Sequence, residues 1–426
     1  MRFIADFHIH SHYSRATSPE MNIVSLTKWS QIKGTHIVGT GDFTHPEWFK
    51  ELREKLEPAE SGLFRLKKEY EDIVQSAVPQ SCQNPMRFIL TVEVSTIYKK
   101  RDRTRKVHSL VFAPSFEVAE KINTRLATIG NLASDGRPIL GLDTKELLKI
   151  VLDESNGQAF LVPAHAWTPH FSVFGSESGF DSLEECFEEL TPYIFSIETG
   201  LSSDPAMNWR LSQLSNIALM SNSDAHSPEK LGREANIFNT DLSYEAIYTA
   251  LKNNDKQAFA ETIEFFPEEG KYYLDGHRNC KIAMMPEETV KNNFICPACE
   301  KPVTVGVLHR VEKLADKPKG FKPENARPYK NVIPLKEIIG EIEGVGPSSK
   351  KVDTIYQEII EKFGSEFTIL LESLPEELNK AFPRLGEGIK RMREGKVIIH
   401  GGYDGEYGVI KVFDEKTPAL PQKSLF

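Results

Sequence analysis

Short apolar runs alternate with amphipathic segments over roughly the first 265 residues of the chain. Amphipathic stretches with helical periodicity, such as 46–55 and 144–152, separate the apolar runs. The runs have the length and composition of buried strands and lie at 37–40, 88–93, 109–112, 159–163 and 217–220. This alternation predicts an α/β fold with a largely parallel sheet, either open or closed into a barrel.

The pattern changes beyond residue 265. Residues 266–330 are rich in Cys, Gly, Pro and Lys, and the proline-containing stretch 315–330 predicts an extended basic linker. From residue 334 the apolar spacing becomes helical. We therefore predict an α/β domain over 1–265, a small cysteine-containing domain with a basic linker over 266–330, a helical domain over 331–410 and a flexible tail over 411–426. The sequence Ile-Glu-Gly-Val-Gly-Pro-Ser at 342–348 resembles the hairpin of a helix-hairpin-helix motif, although a plain connection between helices fits it nearly as well.

Composition and charge narrow the class of protein. No apolar run approaches the roughly 20 residues that cross a bilayer, and the first residues lack a secretory signal, so we expect a cytoplasmic protein. The net charge is −9, but residues 271–330 hold 12 Lys/Arg against 7 Asp/Glu, which leaves −14 on the rest. A basic module beside an acidic, metal-rich domain fits a phosphate-contacting protein, and chance unevenness is the alternative.

Histidines and carboxylates lie at the ends of the predicted strands. In a strand over 3–10, His8 and His10 point to one face and are placed to share a metal, although a pair of surface histidines would show the same spacing. The other candidates that start or follow apolar runs are Asp42, His45, Glu93, His108, His165, Asp224 and His226. Their recurrence at successive strands predicts a catalytic metal centre, and mixed His and carboxylate ligands favour Zn²⁺ or Mn²⁺ over Mg²⁺.

This ordered set resembles the PHP family (polymerase and histidinol phosphatase). His8 and His10 match its opening motif, Asp42 or His45 its second motif and Glu93 its bridging carboxylate; His108 and His165 follow, and Asp224 and His226 match the closing Asp-x-His. The resemblance implies a distorted (β/α)7 barrel that holds up to three metal ions. One departure stands out: the family often has a ligand five or six residues after the second histidine, where this chain has Arg15 and Ala16. Either the third ion is bound differently, or Arg15 contacts a substrate phosphate.

Residues 1–410 closely resemble the endonuclease Q family. The resemblance rests on the barrel motifs, on Glu-Thr-Gly-Leu-Ser-Ser-Asp-Pro at 198–205 and on the cysteine module. It implies a PHP catalytic domain, a zinc-binding domain and a helical domain, in that order. It also implies an enzyme that cleaves DNA on the 5′ side of deaminated bases (uracil, hypoxanthine and xanthine) and of abasic sites.

The resemblance to a DNA-lesion enzyme gives roles to further residues. Glu198 and Asp204 are candidates for completing the catalytic site, as ligands or as acid and base. A damaged nucleotide would leave the stack for a pocket, for which the loop after His165 offers aromatic and small polar groups. We expect substrate contacts from Trp167, His170, Phe171 and Ser172 and from the basic side chain of Arg210, although an ordinary barrel loop with core aromatics would have a similar sequence.

Two other functions fit part of the sequence. A small-molecule PHP phosphatase, similar to histidinol phosphatase, would leave the basic module and the helical end without a role. A catalytically silent DNA-binding partner of a helicase or polymerase would not need the nearly complete ligand set.

Three of the five cysteines cluster, and their spacing indicates a metal site. His277-x₂-Cys280 and Cys296-x₂-Cys299 are separated by 15 residues, which suits one tetrahedral structural Zn²⁺. His309 is a rival fourth ligand. An odd number of cysteines with Cys82 and Cys186 isolated argues against a disulfide framework.

The last five residues resemble a partner-binding motif. Gln422-Lys423-Ser424-Leu425-Phe426 is similar to the pentapeptide with which bacterial proteins bind the sliding clamp. Pro418 and Pro421 would keep this segment extended. We therefore predict the bacterial sliding clamp as a partner, beside DNA that contains deaminated bases; the alternative is a polar tail that ends in two hydrophobic residues by chance.

Overall fold

A mixed sheet organises the first 265 residues in this computed structural model, which describes residues 1–324 and 326–414. The predicted clamp motif at 422–426 lies outside the described residues. The strands of this region are β1 (Arg2–Asp6), β2 (Ile37–Gly39), β3 (Leu56–Pro58), β4 (Phe64–Leu66), β5 (Arg87–Lys100), β6 (Arg103–Ala113), β7 (Ile139–Leu140), β8 (Phe160–Pro163), β9 (Ser196–Glu198), β10 (Ala218–Met220), β11 (Ala235–Asn239) and β12 (Phe259–Glu264).

Helices separate most of these strands, which confirms the α/β class. They are α1 (Ile23–Lys33), α2 (Pro46–Lys55), α3 (Lys68–Ala77), α4 (Phe116–Ala127), α5 (Thr144–Ser155), α6 (Leu183–Phe187), α7 (Pro205–Asn208) and α8 (Tyr244–Lys252). Side-chain caps start several of them: Asn22, Ser115, Asp143 and Ser243 each accept a hydrogen bond from a backbone N–H of the first turn. Such caps satisfy donors that a helix start leaves unpaired.

The strands follow one another around a ring that brings their ends together. β1, β2 and β5 pair in parallel, β6 joins β5, and β8 joins β6. The turn after β8 then meets β9, where Ala166 N–H donates to Glu198 O at 3.0 Å. β9 pairs with β10, and the turn after β10 returns to the first strand through a bridge between Ile9 and Ala225.

The prediction of a largely parallel sheet is wrong, because β6 runs antiparallel to both of its neighbours. β5 and β6 are joined by a tight turn at Arg101 and Asp102, whose φ angles are 50° and 59°. A two-residue connection with positive φ at both positions can only make an antiparallel hairpin. β11 also pairs antiparallel with β1 and with β12, so the sheet is mixed.

The second region is small and irregular. It contains β13 (Asp275–His277), β14 (Ile282–Met284), α9 (Pro286–Lys291) and α10 (Val307–Leu314). The segment that follows, predicted as an extended linker, is anchored to the main sheet. The Arg327 guanidinium lies 3.9 Å from the ring centre of Phe259, and β15 (Tyr329–Asn331) pairs in parallel with β12.

The third region is largely helical. Its elements are α11 (Leu335–Glu343), α12 (Lys350–Phe363), a π-helical turn (Thr368–Glu372), α13 (Pro375–Ala381), α14 (Leu385–Arg393), β16 (Ile398–His400) and β17 (Val409–Lys411). A buried ion pair between Lys33 and Glu366, 2.7 Å long, joins α1 to this region. Residues beyond β16 pack on the second region, where Leu274 N–H donates to Gly402 O at 2.8 Å. Among the described helices, none has both the length and the apolar character needed to span a bilayer.

Candidate metal centre

Two groups of ligand atoms meet where the strand ends converge. The first consists of His8, His10, Glu93 and Asp224, and the second of Glu93, His108 and His165. Within each group the candidate ligand atoms all lie within 4.8 Å of one another. His8, His10, His165 and Asp224 follow strand ends, as the sequence pattern predicts, whereas Glu93 and His108 lie within β5 and β6.

Glu93 belongs to both groups because its two carboxylate oxygens face opposite sides. Oε1 lies 2.7 Å from Nδ1 of His108 and 2.9 Å from Nε2 of His165. Oε2 lies 3.3 Å from Nε2 of His10 and 3.6 Å from Nε2 of His8. A carboxylate in this position can link two cations, as the bridging ligand of a two-metal site does.

Buried carboxylates fix the orientation of the first two histidines. Nδ1 of His8 donates to both oxygens of Glu198, at 3.0 and 3.1 Å. Nδ1 of His10 donates to Oδ1 of Asp42 at 3.1 Å, while Oδ2 of Asp42 accepts from the hydroxyls of Ser11 and Ser14. Each ring therefore presents Nε2 toward the site, which is the arrangement by which carboxylates hold metal-ligating histidines.

One ligand atom of the first group has no hydrogen-bond partner within the described part of the protein. Nε2 of His8 is buried and has no hydrogen-bond partner among the described residues. Its neighbours are Oε2 of Glu93 and Oδ1 of Asp224, the latter at 3.7 Å, which is too far for a hydrogen bond. Nε2 of His10 does pair with Oδ1 of Asp224, at 3.1 Å, whereas Nε2 of His8 faces the same carboxylates without a hydrogen bond to either; such a set of donors suits a divalent ion.

The electrostatics of the centre follow from its burial and its mixed charges. Burial by itself lowers the pKa of His8, but Glu198 and Glu93 outweigh it and raise that pKa well above its usual value. Burial also raises the pKa of Glu93, but His108 and Arg137 outweigh this and hold it well below the usual range. Glu93 is therefore ionised at neutral pH and available as a ligand. His108 differs, since burial lowers its pKa to about 4 and keeps the ring neutral.

Unusual backbone conformations aim three of these side chains. Asp42, His165 and Asp224 have φ angles of 49°, 30° and 48°, a region that non-glycine residues rarely adopt. Gly200 (φ 63°) passes directly beside His165, and a Cβ at Gly200 would lie 2.6 Å from that of His165. Only glycine fits this crossing. Strained conformations of this kind concentrate at functional sites.

The other predicted ligands lie near the two groups but do not join them. Asp42 stands behind His10. The ring of His45 is stacked on Tyr13 at 4.3 Å and belongs to neither group of ligand atoms. His226 lies at the opening, with its ring centre 4.6 Å from that of His10 and its side chain 32% exposed.

The two predicted catalytic carboxylates have structural partners. Glu198 is buried behind His8 and also accepts hydrogen bonds from the backbone N–H of His165 and from Asn222. Asp204 is the N-cap of α7 and accepts from the backbone N–H of Met207 at 2.8 Å. It belongs to neither group of candidate ligand atoms.

The predicted substrate-binding residues divide between the interior and the surface. Trp167 is fully buried and donates from Nε1 to Asn208, and the hydroxyl of buried Ser172 donates to Thr168 O. Arg210 forms a two-pronged ion pair with Glu312 of α10, at 2.6 and 2.8 Å, and so joins the first region to the second. These three side chains are engaged within the protein, which leaves them unavailable to a base or a phosphate.

Three predicted substrate contacts do lie on accessible surface. His170 is exposed, and Phe171 packs against His108 with 4.7 Å between ring centres. Arg15 is 78% exposed and contacts Asp135 at 3.3 Å.

Two side chains at the centre are not predicted from the sequence. Arg137 donates from Nη1 to Oε2 of Glu93 at 2.9 Å, and its side chain is 25% exposed. Asn222 donates to Glu198 at 2.7 Å and accepts from the backbone N–H of Phe7. Neither lies in a motif with metal-ligand spacing. The sequence offers only a weak indication of either residue. Asn222 lies two residues before the predicted ligand Asp224, and Arg137 follows Asp135-Gly136.

A second candidate metal site lies in the small region. The ligand atoms of His277, Cys280, Cys296 and Cys299 all lie within 4.8 Å of one another. His309 is not part of this set, because its Nδ1 is hydrogen-bonded to Asp275 at 2.6 Å. The apolar cluster around the site has only three buried members: Met284, Cys296 and Val303. A structural Zn²⁺ suits both the ligand set and a core this small.

Comparisons with known proteins place the chain among DNA enzymes and uncharacterized relatives. The model of the MJ0043 C-terminal domain family matches residues 334–396. The chain is 35% identical over 261 residues, 59% of its length, to uncharacterized protein MJ0043 of Methanocaldococcus jannaschii, of which it spans only 32%. It is 32% identical over 313 residues to uncharacterized protein YqxK of Bacillus subtilis, covering 72% of this chain and 74% of that protein.

Two solved structures match nearly the whole chain. The lesion-specific endonuclease PfuEndoQ from Pyrococcus furiosus matches with a TM-score of 0.83 and 32% identity, covering 96% of this chain and 95% of that one. Endonuclease Q in complex with a 27-mer duplex substrate, with an abasic lesion at the active site, matches with the same score and identity over 97% and 98%. Identity at this level over almost the full length of both chains confirms the resemblance found in the sequence: the chain belongs to the endonuclease Q family.

Proposed function

We propose that this chain is a metal-dependent DNA repair endonuclease that hydrolyses the phosphodiester on the 5′ side of deaminated bases (uracil, hypoxanthine and xanthine) and of abasic sites. The observation that carries the proposal is the position of Glu93, whose two oxygens face two separate groups of ligand atoms. A two-cation site of this kind is typical of enzymes that cleave phosphodiesters. The family's complex with an abasic duplex supports DNA as the substrate.

The ligand chemistry favours Zn²⁺ or Mn²⁺ at the catalytic centre, with Mg²⁺ less suited to so many imidazoles. When bound, a pair of divalent ions supplies electrostatic stabilisation to the attacking and leaving oxygens of the phosphodiester. The protein's own contribution is to hold the ligand atoms still. Glu198 and Asp42 fix His8 and His10, and Thr168 contacts Nδ1 of His165 at 3.1 Å.

Arg137 adds a fixed positive charge at the rim of the centre. One of its N–H groups is engaged by Glu93, and its remaining side-chain donors make no hydrogen bond to the residues that the structure describes. A guanidinium that is partly exposed and has free donors is a good ligand for a phosphodiester oxygen. Arg137 would therefore bind and orient the anionic substrate beside the metal ligands.

The experiment is a nicking assay on duplexes with a single uracil, hypoxanthine or abasic site, with Zn²⁺, Mn²⁺ or Mg²⁺ supplied. We expect one nick, mapped by product length to the 5′ side of the lesion. Asp224→Asn and Glu93→Gln should abolish cleavage and leave DNA binding largely intact, because each removes a ligand charge and few DNA contacts. Asp72→Asn is the matched control, since Asp72 is exposed on α3 and should retain the wild-type rate.

Two outcomes would contradict the proposal. Wild-type nicking by both Asp224→Asn and Glu93→Gln would show that the centre is elsewhere. Rapid hydrolysis of histidinol phosphate or another small phosphomonoester, with no nicking of DNA, would favour a small-molecule phosphatase instead.

A further inference from the structure

The hairpin of β5 and β6 extends far beyond the metal ligands that it carries. Glu93 lies in the middle of β5 and His108 in the middle of β6, while the chain turns at Arg101 and Asp102. At about 3.3 Å per residue, the arm between His108 and the turn is roughly 20 Å long. A hairpin that only had to present Glu93 and His108 would not require an arm of this length.

The end of the hairpin is strongly basic. Residues 99–106 read Lys-Lys-Arg-Asp-Arg-Thr-Arg-Lys, with six cationic side chains and one carboxylate. The chain as a whole has a net charge of −9, so this cluster of positive charge is opposite in sign to the protein's net charge. It lies next in sequence to the ligand His108.

Acidic and aromatic groups of the α/β region engage three of these cations. Lys100 pairs with Glu188 at 2.9 Å and with Asp143 at 3.3 Å. Arg101 contacts Glu185, and the guanidinium of Arg105 is buried against the ring of Phe180, 4.1 Å from its centre. These charges are balanced or buried within the protein.

Lys99 and Lys106 are different, because neither forms an ion pair with any described residue. In the hairpin register Lys99 is opposite Thr104, Lys106 is opposite Ile97, and His108 is opposite Ser95. Opposite residues share a face, and side chains two apart on one strand share it too. Lys99 and Lys106 therefore lie on the face that carries Glu93 and His108, with about 7 Å between successive positions on each strand.

An aromatic ring continues this face into the metal centre. Nζ of Lys106 lies 5.2 Å from the ring centre of Phe171, and that ring packs against His108. The loop that carries Phe171 is hydrogen-bonded alongside β6, where His108 N–H donates to Phe171 O at 3.0 Å. The ring and the two lysines form a continuous strip from the ligands to the end of the hairpin.

We propose that this strip, which consists of Lys99, Lys106 and Phe171, binds the sugar-phosphate backbone of duplex DNA next to the phosphodiester that is cut. The inference rests on the proposed function and adds the surface that holds the substrate. Lysines without ion-pair partners beside the candidate centre can bind the regularly spaced phosphates of DNA. Each phosphate that they neutralise releases counterions. Contacts to phosphate oxygens carry no sequence information, so the strip positions DNA without reading its sequence.

The test is a single-turnover cleavage titration of an abasic duplex by the metal-loaded enzyme at several salt concentrations. Two phosphate contacts contribute about 1.8 to the slope of log affinity against log salt, so Lys99→Ala with Lys106→Ala should lower the slope by that amount. If the contribution vanishes near 1 M salt, the half-saturating enzyme concentration rises about 30-fold at 0.15 M. The maximal cleavage rate should stay within about twofold, because the metal ligands are untouched.

The matched control is Lys121→Ala with Lys149→Ala, which removes the same charge from exposed positions on α4 and α5. It should leave slope and half-saturation at their wild-type values. An unchanged slope in the hairpin variant, an equal loss in the control, or a fall in maximal rate without a change in half-saturation would each overturn the inference. A wild-type enzyme that neither binds nor cuts the duplex would refute the proposed function itself, and this inference with it.

Discussion

Replacing Glu198 with glutamine tests whether the carboxylate behind His8 positions a metal ligand. In the structure this carboxylate accepts from three donor groups: Nδ1 of His8, the backbone N–H of His165 at 2.9 Å and the side-chain amide of Asn222 at 2.7 Å. Glutamine keeps the shape but removes the charge and replaces one acceptor oxygen with an N–H₂ group. One of the three donors must then face another donor.

The size of the effect follows from these contacts. A buried donor without an acceptor costs about 1–3 kcal/mol in the free energy of unfolding. Loss of an anionic partner on a ligand histidine lowers metal affinity about 10–100-fold, which corresponds to about 1.4–2.7 kcal/mol. We therefore expect Glu198→Gln to be moderately less stable and to require 10–100 times more metal for half-maximal cleavage.

The assay is cleavage of the abasic duplex as a function of metal concentration, with urea unfolding measured in parallel. We expect excess metal to restore most of the wild-type rate, because Glu198 acts through His8. Glu264→Gln is the matched control, since this equally buried carboxyl contacts threonine hydroxyls and no candidate ligand. A wild-type metal requirement would refute the positioning argument. A rate that excess metal does not restore would support the other prediction for Glu198, a direct role as acid or base.

The remaining predictions concern the second metal site and the pH dependence of stability. Cys296→Ser should release one equivalent of zinc and unfold the small region, whereas Cys82→Ser should retain the zinc; elemental analysis that finds no loss in the first variant would disprove the zinc assignment. Burial raises the pKa of Glu264 to about 8 from its usual 4.5. The folded protein thus holds this proton more tightly than the unfolded chain, and stability should fall as pH rises from about 5 to 8, by up to about 1.4 kcal/mol per pH unit for this group. Urea unfolding at several pH values should show a flatter profile for Glu264→Gln than for wild type, and identical profiles would contradict the argument.

The sequence predicts the candidate metal centre because its signals are local. His8 and His10 share a strand face through simple alternation, and Glu93 and His165 each end an apolar run. Strands that follow one another around a ring bring such ends together, so the pattern predicts the group without any knowledge of distances. The spacing of His277, Cys280, Cys296 and Cys299 is equally local, and it favours His277 over His309 as the fourth ligand.

The roles of the neighbouring residues depend on tertiary contacts and could not be predicted. Asp42 follows a strand just as Asp224 does, and only its contacts in the folded structure, with Nδ1 of His10 and with the hydroxyls of Ser11 and Ser14, place it behind His10. The burial of Trp167 and the pairing of Arg210 with Glu312 depend on elements distant in sequence. The turn between β5 and β6 could not be predicted, because Arg-Asp lacks the usual hairpin signals of Asn-Gly or Asp-Gly.

The contact between Leu274 and Gly402 shows that regions far apart along the chain support one another, so the order of the regions does not indicate which of them can be removed independently. Asp404, near the end of the described residues, accepts hydrogen bonds from the backbone of Arg278 and from the hydroxyl of Thr304. Arg278 lies between His277 and Cys280, and Thr304 follows Cys299, so the segment around Asp404 supports the small region. A truncated protein that stops before residue 400 would lose this support while keeping every predicted zinc ligand. The helical region therefore contacts the α/β region through the Lys33–Glu366 ion pair, and the residues that follow its helices pack on the small region.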